Sequence, residues 1–132
     1  MSKDKCMEVI SIDGRKKRSK DTSELILDTA FSLLNEGILN ITHELIAKEA
    51  KIGTRTIFRH FKDKNSLIIG MHNKLLKDFE SSKPKINLNI DVISRLKLLI
   101  EFTCNTYEKY QYVNHWTVKN LWYSKDVRMN IV

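Results

Sequence analysis

The stretch RTIFRHFKDKNSL, Arg55–Leu67, crowds Arg55, Arg59, Lys62 and Lys64 among Phe58, His60 and Phe61. It is too charged for a core and too apolar for a loop. Helical spacing resolves the conflict. Ile57 and Phe61 stand four residues apart and share a face with Ile52, whereas Thr54, Arg55, Phe58 and Arg59 fall on the opposite side, with Thr56 at the flank. The outward face is small, polar and cationic, as a helix entering a major groove must be. An arginine can donate two hydrogen bonds to guanine O6 and N7, and a threonine can meet a thymine methyl or a phosphate.

Outward from this short helix, expected at 54–60 and opened by Gly53 or Thr54, the neighbouring elements follow. Thr42 is the expected N-cap of a helix at 43–50, with Leu45, Ile46 and Ala50 facing inward. The linking residues Lys51-Ile52-Gly53 give the two helices helix-turn-helix spacing. Before them, Asp21 and Glu24 form a D-x-x-E start signal. Ile26, Ala30, Leu33 and Leu34, with Leu27 and Phe31 beside them, carry a helix at 22–36 that ends at Gly37. After them, Asp63 is the expected cap of a long helix at 64–82, and Lys64 at its start would meet a phosphate. Pro84 ends that helix, and Ile86–Ile90 reads as linker. Asp91 opens a fifth helix at 92–110. A sixth is expected after Asn114, carrying Trp116, Val118, Leu121 and Trp122.

The composition agrees. One proline and four glycines in 132 residues favour long helices over turn-rich sheets. Net charge is +7, and its placement is informative. Residues 1–20 hold seven Lys/Arg against three Asp/Glu, and residues 51–64 hold five against Asp63 alone. Two basic clusters point to a polyanion partner. The first is expected to be a flexible leader over 1–21, because its Gly14–Lys20 stretch (GRKKRSK) has no apolar face. It is either inert or an arm that lies along DNA.

Other chemistries find no support in the residues. His43-Glu44 begins an H-E-x-x-H pattern, but Ala47 stands where the second histidine is needed. His72 and His115 are isolated. Ser/His/Asp groupings, phosphate loops and paired carboxylates do not stand out, so neither catalysis nor a cofactor is expected. Cys6 and Cys104 lack metal spacing and fit a reduced cytoplasm, with Cys104 expected as a small buried hydrophobe. No segment has the length of a membrane span or a signal peptide. Phe102, Tyr107, Tyr110, Tyr112, Trp116, Trp122 and Tyr123 are read as core or interface in preference to a ligand pocket.

Together, ILDTAFSLLNEG (26–37) and THELIAKEAKIGTRTIFRHFKDKNSLI (42–68) resemble the DNA-binding domain of the TetR family of bacterial transcriptional regulators. The resemblance covers roughly residues 22–72. It implies an all-α protein: a three-helix head at 22–82 that includes a long connecting helix, then a partial helical regulatory and dimerisation domain at 83–132. It also implies roles. Thr42, the aromatic at 58, His60 and Lys64 would touch phosphates, and Gly53, Thr54, Arg55 and Arg59 would read bases, with Thr56 beside them. Four positions depart from the pattern. Lys51 replaces a usual glycine, Gly53 a frequent serine, Arg55 a frequent glycine, and Phe58 a tyrosine whose hydroxyl would bind phosphate. The implied function is a cytoplasmic, ligand-responsive repressor. It would act as a homodimer on a palindromic operator in double-stranded DNA, released by a small-molecule inducer. The second domain is short for the family, and the chain reads as a regulator cut short. The alternatives are a remnant with non-specific DNA binding, or a protein–protein interaction module using the apolar faces of 92–132.

Overall fold

A computed structural model describes the backbone of residues 2–125 and 129, and side chains for 14–122, 124, 125 and 129. Expectations for Cys6 and for the Tyr123 side chain lie outside the described residues. The described residues form an all-α fold of five helices: α1 (Ser2–Asn35), α2 (His43–Ala50), α3 (Thr54–His60), α4 (Lys64–Ser82) and α5 (Val92–Tyr123).

The helix ends follow from local chemistry. At the end of α1, Gly37 takes φ +86°. Its N–H donates to the Leu34 carbonyl at 2.9 Å, and the Ile38 N–H donates to Leu33 at 3.0 Å. This Schellman pair satisfies carbonyls that the helix would otherwise leave open. Helix α2 ends the same way but without a glycine. Lys51 adopts φ 56° and ψ 42°, while the Lys51 and Ile52 N–H groups donate to Lys48 and Ala47. Thr42 caps α2 by accepting the Leu45 N–H at 3.1 Å. Asp63 caps α4 through a reciprocal box with Ser66, and Asp91 caps α5 by accepting the Ser94 N–H.

The core joins all five helices. Ile26, Ala30, Leu33 and Leu34 of α1 meet Ile46 and Ala47 of α2, Ile57 of α3, Leu67, Ile68 and Met71 of α4, and Tyr110, Val113 and Trp116 of α5. Helices α4 and α5 run antiparallel. Phe79 packs on Phe102, the Tyr110 hydroxyl donates to Asp78, and the Ser124 hydroxyl donates to Asn65. Gly70 makes a close approach possible, since a Cβ there would stand 2.6 Å from the Phe61 ring.

Four expectations need correction. The leader over 1–21 is not a separate mobile segment in residues 14–20: these continue α1, with Arg15–Lys20 exposed. Asp21 therefore lies inside a helix and is not its cap. Lysine and arginine are good helix formers, and once the packed part of α1 exists, each added residue propagates the helix with no new nucleus. The fifth and sixth helices are one 32-residue helix. No glycine or proline interrupts it, and Asn114 is tolerated mid-helix. Cys104 is exposed, not buried. Lastly, Ala47 joins Ile46 in the buried core, Leu45 packs against that core half-buried, and Ala50 is only half-buried.

Candidate nucleic-acid interface

Helix α3 is anchored on one face and open on the other. Ile57 is fully buried and Phe61 nearly so, while Thr54, Arg55, Phe58 and Arg59 are exposed and Thr56 is half-buried. Gly53 precedes the helix with no side chain to cap it, leaving the Thr56 N–H on the Gly53 carbonyl at 3.0 Å. Arg55 and Arg59 lie one turn apart. Among the described residues, the ion pairs involve only Lys74 with Asp28 and Asp78, and Lys83 with Glu80. Both arginines therefore keep their full donor sets turned to solvent.

One residue that matters only in three dimensions organises the surface. His43 is buried. Its ring stacks on Phe58 with centroids 4.5 Å apart and planes 7° from parallel. Its Nε2 lies 2.8 Å from the Phe61 carbonyl. A carbonyl only accepts, so Nε2 carries the hydrogen. This single imidazole fixes the start of α2 against both the outward aromatic of α3 and the turn into α4. Thr42, one residue before it, and Lys64, just past that turn, thereby join the α3 face. His43 leaves no signal in the one-dimensional pattern, because its partners lie 15 and 18 residues away.

The remaining expected residues sit at the rim of the same surface. Thr42 is exposed, and since its oxygen accepts the Leu45 N–H, its own hydrogen stays available to an acceptor outside. His60 is half-buried, its Nδ1 2.9 Å from the Ser23 hydroxyl of α1. Lys64 is exposed at the first position of α4. Asp63 beside it is held below its ordinary carboxylate range by the Ser66 N–H, then by the Ser66 hydroxyl, with smaller help from Lys62 and His43. Because Asp63 already takes an N–H at this helix end, anion attraction there falls mainly to the ammonium of Lys64. The surface gathers exposed arginine, lysine, threonine and an aromatic edge without a carboxylate on α3 itself. Such a set suits phosphates and base edges. Among the described residues no group of three or more His, Cys, Asp or Glu could hold a metal, and no described helix is long and apolar enough to cross a membrane.

Comparison with known proteins agrees with this geometry. The sequence model of "Bacterial regulatory proteins, tetR family" matches residues 26–71. HTH-type transcriptional regulators of Staphylococcus aureus strains USA300 and NCTC 8325 / PS 47 are each 33% identical to the chain over 95 residues. The alignment covers 63% of this chain and 51% of each relative, so the chain spans about half the length of the curated relatives it matches. No solved structure matches the chain. The matched segment runs from the first core residue of α1 to Met71 of α4 and contains all of α2 and α3, so this head is similar in sequence to the helix-turn-helix region of the tetR family of bacterial regulatory proteins.

Proposed function

We propose that the chain is a sequence-specific DNA-binding transcriptional repressor whose α3 enters the major groove of an operator half-site. The supporting observation is the exposed, unpaired Arg55 and Arg59 face on a helix locked from behind by Ile57, Phe61 and the His43 bond. Gly53, Thr54, Arg55 and Arg59 read bases, and Thr56 flanks them. Thr42, His60 and Lys64 hold phosphates on either side. Phe58 offers an apolar edge where a hydroxyl would otherwise bind phosphate.

The ligand-responsive part rests on a groove of about 310 Å³ between α4 and α5. Leu75, Leu76, Phe79, Tyr107 and Tyr110 line it, with Thr103, Thr106 and Asn114 supplying polar atoms. Its size and lining suit a small, largely apolar effector. Because α4 also carries Lys64, a ligand wedged against Phe79 acts on the helix that ends in the head. Two heads on a palindrome require two chains. The exposed Val92, Ile93, Leu96 and Ile100 of α5 give an apolar surface for a protein contact.

Fluorescence anisotropy of the purified chain tests this reading, using DNA from upstream of its own gene and a scrambled duplex. Preference for the upstream duplex that survives near-physiological salt is the expected result. Equal binding to both that fades with salt would reduce the chain to a non-specific basic head.

A further inference from the structure

We propose that residues 15–22 of α1 and the C-terminal end of α3 form a second anion cleft, which takes a phosphodiester of the DNA backbone beyond the base pairs facing α3. This rests on the DNA-binding reading above and extends its footprint to α1.

Arg15, Arg18, Ser19 and Thr22 follow i, i+3, i+4, i+7 spacing, so the helical continuation of α1 places them on one face. Together with Arg59 and His60 they line an open cleft of about 370 Å³. The juxtaposition is tied in place beside the cleft by the Ser23–His60 hydrogen bond at 2.9 Å. Within α1, the Thr22 hydroxyl donates to the Arg18 carbonyl at 2.8 Å. Three guanidinium groups thus converge, and among the described residues none of them has an ion-pair partner. Like charges gathered without a counter-ion repel one another, and a bound phosphate relieves that repulsion. Arg59 belongs both to this cleft and to the outward face of α3, which makes the occupant a continuation of the same DNA. The lining contains no carboxylate or side-chain amide, so adenine and cytosine edges find no matched partner there, whereas phosphate oxygens do.

The test compares the full chain with the double variant R15A/R18A on the upstream and scrambled duplexes between 50 and 200 mM salt. A remote charge control, K85A/K97A, removes the same charge from the linker and the far end of α5. Alanine favours helix, so the variant should keep its far-UV circular dichroism. The expected result is equal weakening on both duplexes, with the log–log salt slope falling by about 0.9 for each phosphate that is no longer neutralised. In affinity, the gap between wild type and variant then narrows about 3.5-fold per phosphate from 50 to 200 mM. The control should leave the slope unchanged. An unchanged slope in R15A/R18A would overturn the proposal, and so would a loss confined to the upstream duplex, which marks a base contact. Inorganic phosphate is titrated in parallel. Saturation at these arginines together with an unchanged DNA slope would assign the cleft to a free anion and overturn it as well. A wild-type chain that binds neither duplex at low salt would sink the proposed function itself. Normal wild-type binding with an unaltered variant would sink only the role of the cleft.

Discussion

Single residues carry some of the strain and, under the proposed function, much of the specificity. Lys51 holds a left-handed conformation that costs a non-glycine residue about 1–2 kcal/mol. Lys51→Gly removes that strain but enlarges the conformational freedom of the unfolded chain, an opposing effect of about 0.4–1 kcal/mol. Denaturant unfolding should therefore show a modest net gain, about 0.5–1 kcal/mol, with an unchanged slope. Lys51 is exposed and ends α2 with both of its N–H bonds intact, so the gain should not disturb the fold. On α3, Arg59→Ala and Arg55→Ala separate readers of bases from holders of phosphate. An arginine paired to guanine is worth about 1–3 kcal/mol of discrimination, and its loss relaxes preference at one operator position. Competition among single-base operator variants measures this. Uniform weakening across all of them would show a backbone contact instead.

At the scale of the helix, α3 has only seven residues and depends on its neighbours for its position. Gly70 of α4 is the tightest of these supports. Gly70→Ala gains about 1 kcal/mol of helix propensity but pushes a methyl into the Phe61 ring, and overpacking costs typically about 1–3 kcal/mol. Phe61 is buried, so the ring has little room to yield, and a net loss of stability in chemical denaturation is expected. The contrast between legible and hidden features is physical. Thr42, Asp63, Asp91 and Gly37 announce their helix ends because a cap acts over three or four residues of chain. Ile57 and Phe61 announce their face because helical spacing does. The union of α5 is hidden because Asn114 reads as the start of a new helix, yet asparagine only weakly disfavours helix and the buried Val113, Trp116 and Thr117 continue the packed face across it. His43 and Gly70 are hidden for another reason. Their partners come from other helices, and spacing along one chain does not encode a meeting between two. The cleft of Arg15 and Arg18 is visible in the sequence only as charge, since its geometry depends on α1 continuing as helix.

Across the whole molecule, titrating groups set opposite limits on stability. Asp63 and Asp91 are held below the ordinary carboxylate range by their bonds from Ser66 and Ser94. Each therefore contributes stability that is present at neutral pH and is lost as pH falls through its folded value. His72 is lowered by burial, so the unfolded chain binds its proton more readily, and acidification through the ordinary histidine range also destabilises. Lys74 behaves in the other sense. Burial alone would lower it, but the hydrogen bond to Asp28 and the charges of Asp28, Asp78 and Glu24 outweigh that and raise it. Its contribution is complete below the ordinary lysine value and fades as pH climbs through the raised one. Thermal melting as a function of pH should give a dome. His72→Gln should flatten its mildly acidic shoulder, close to the ordinary histidine value of about 6.5, and Lys74→Met should remove part of the alkaline decline. A melting temperature in His72→Gln that still follows pH as in the wild type would sink the assignment. One dimension of this molecule has a further consequence. Helix α4 is 19 residues long, about 28 Å at 1.5 Å per residue. Phe79 lies near one end against the groove, and Lys64 stands at the other. A tilt of about 5° with the groove end as fulcrum sweeps the Lys64 end through about 2.5 Å. That sweep is enough to part any hydrogen bond made there, so under the proposed function α4 would multiply a slight shift in packing into a lost grip.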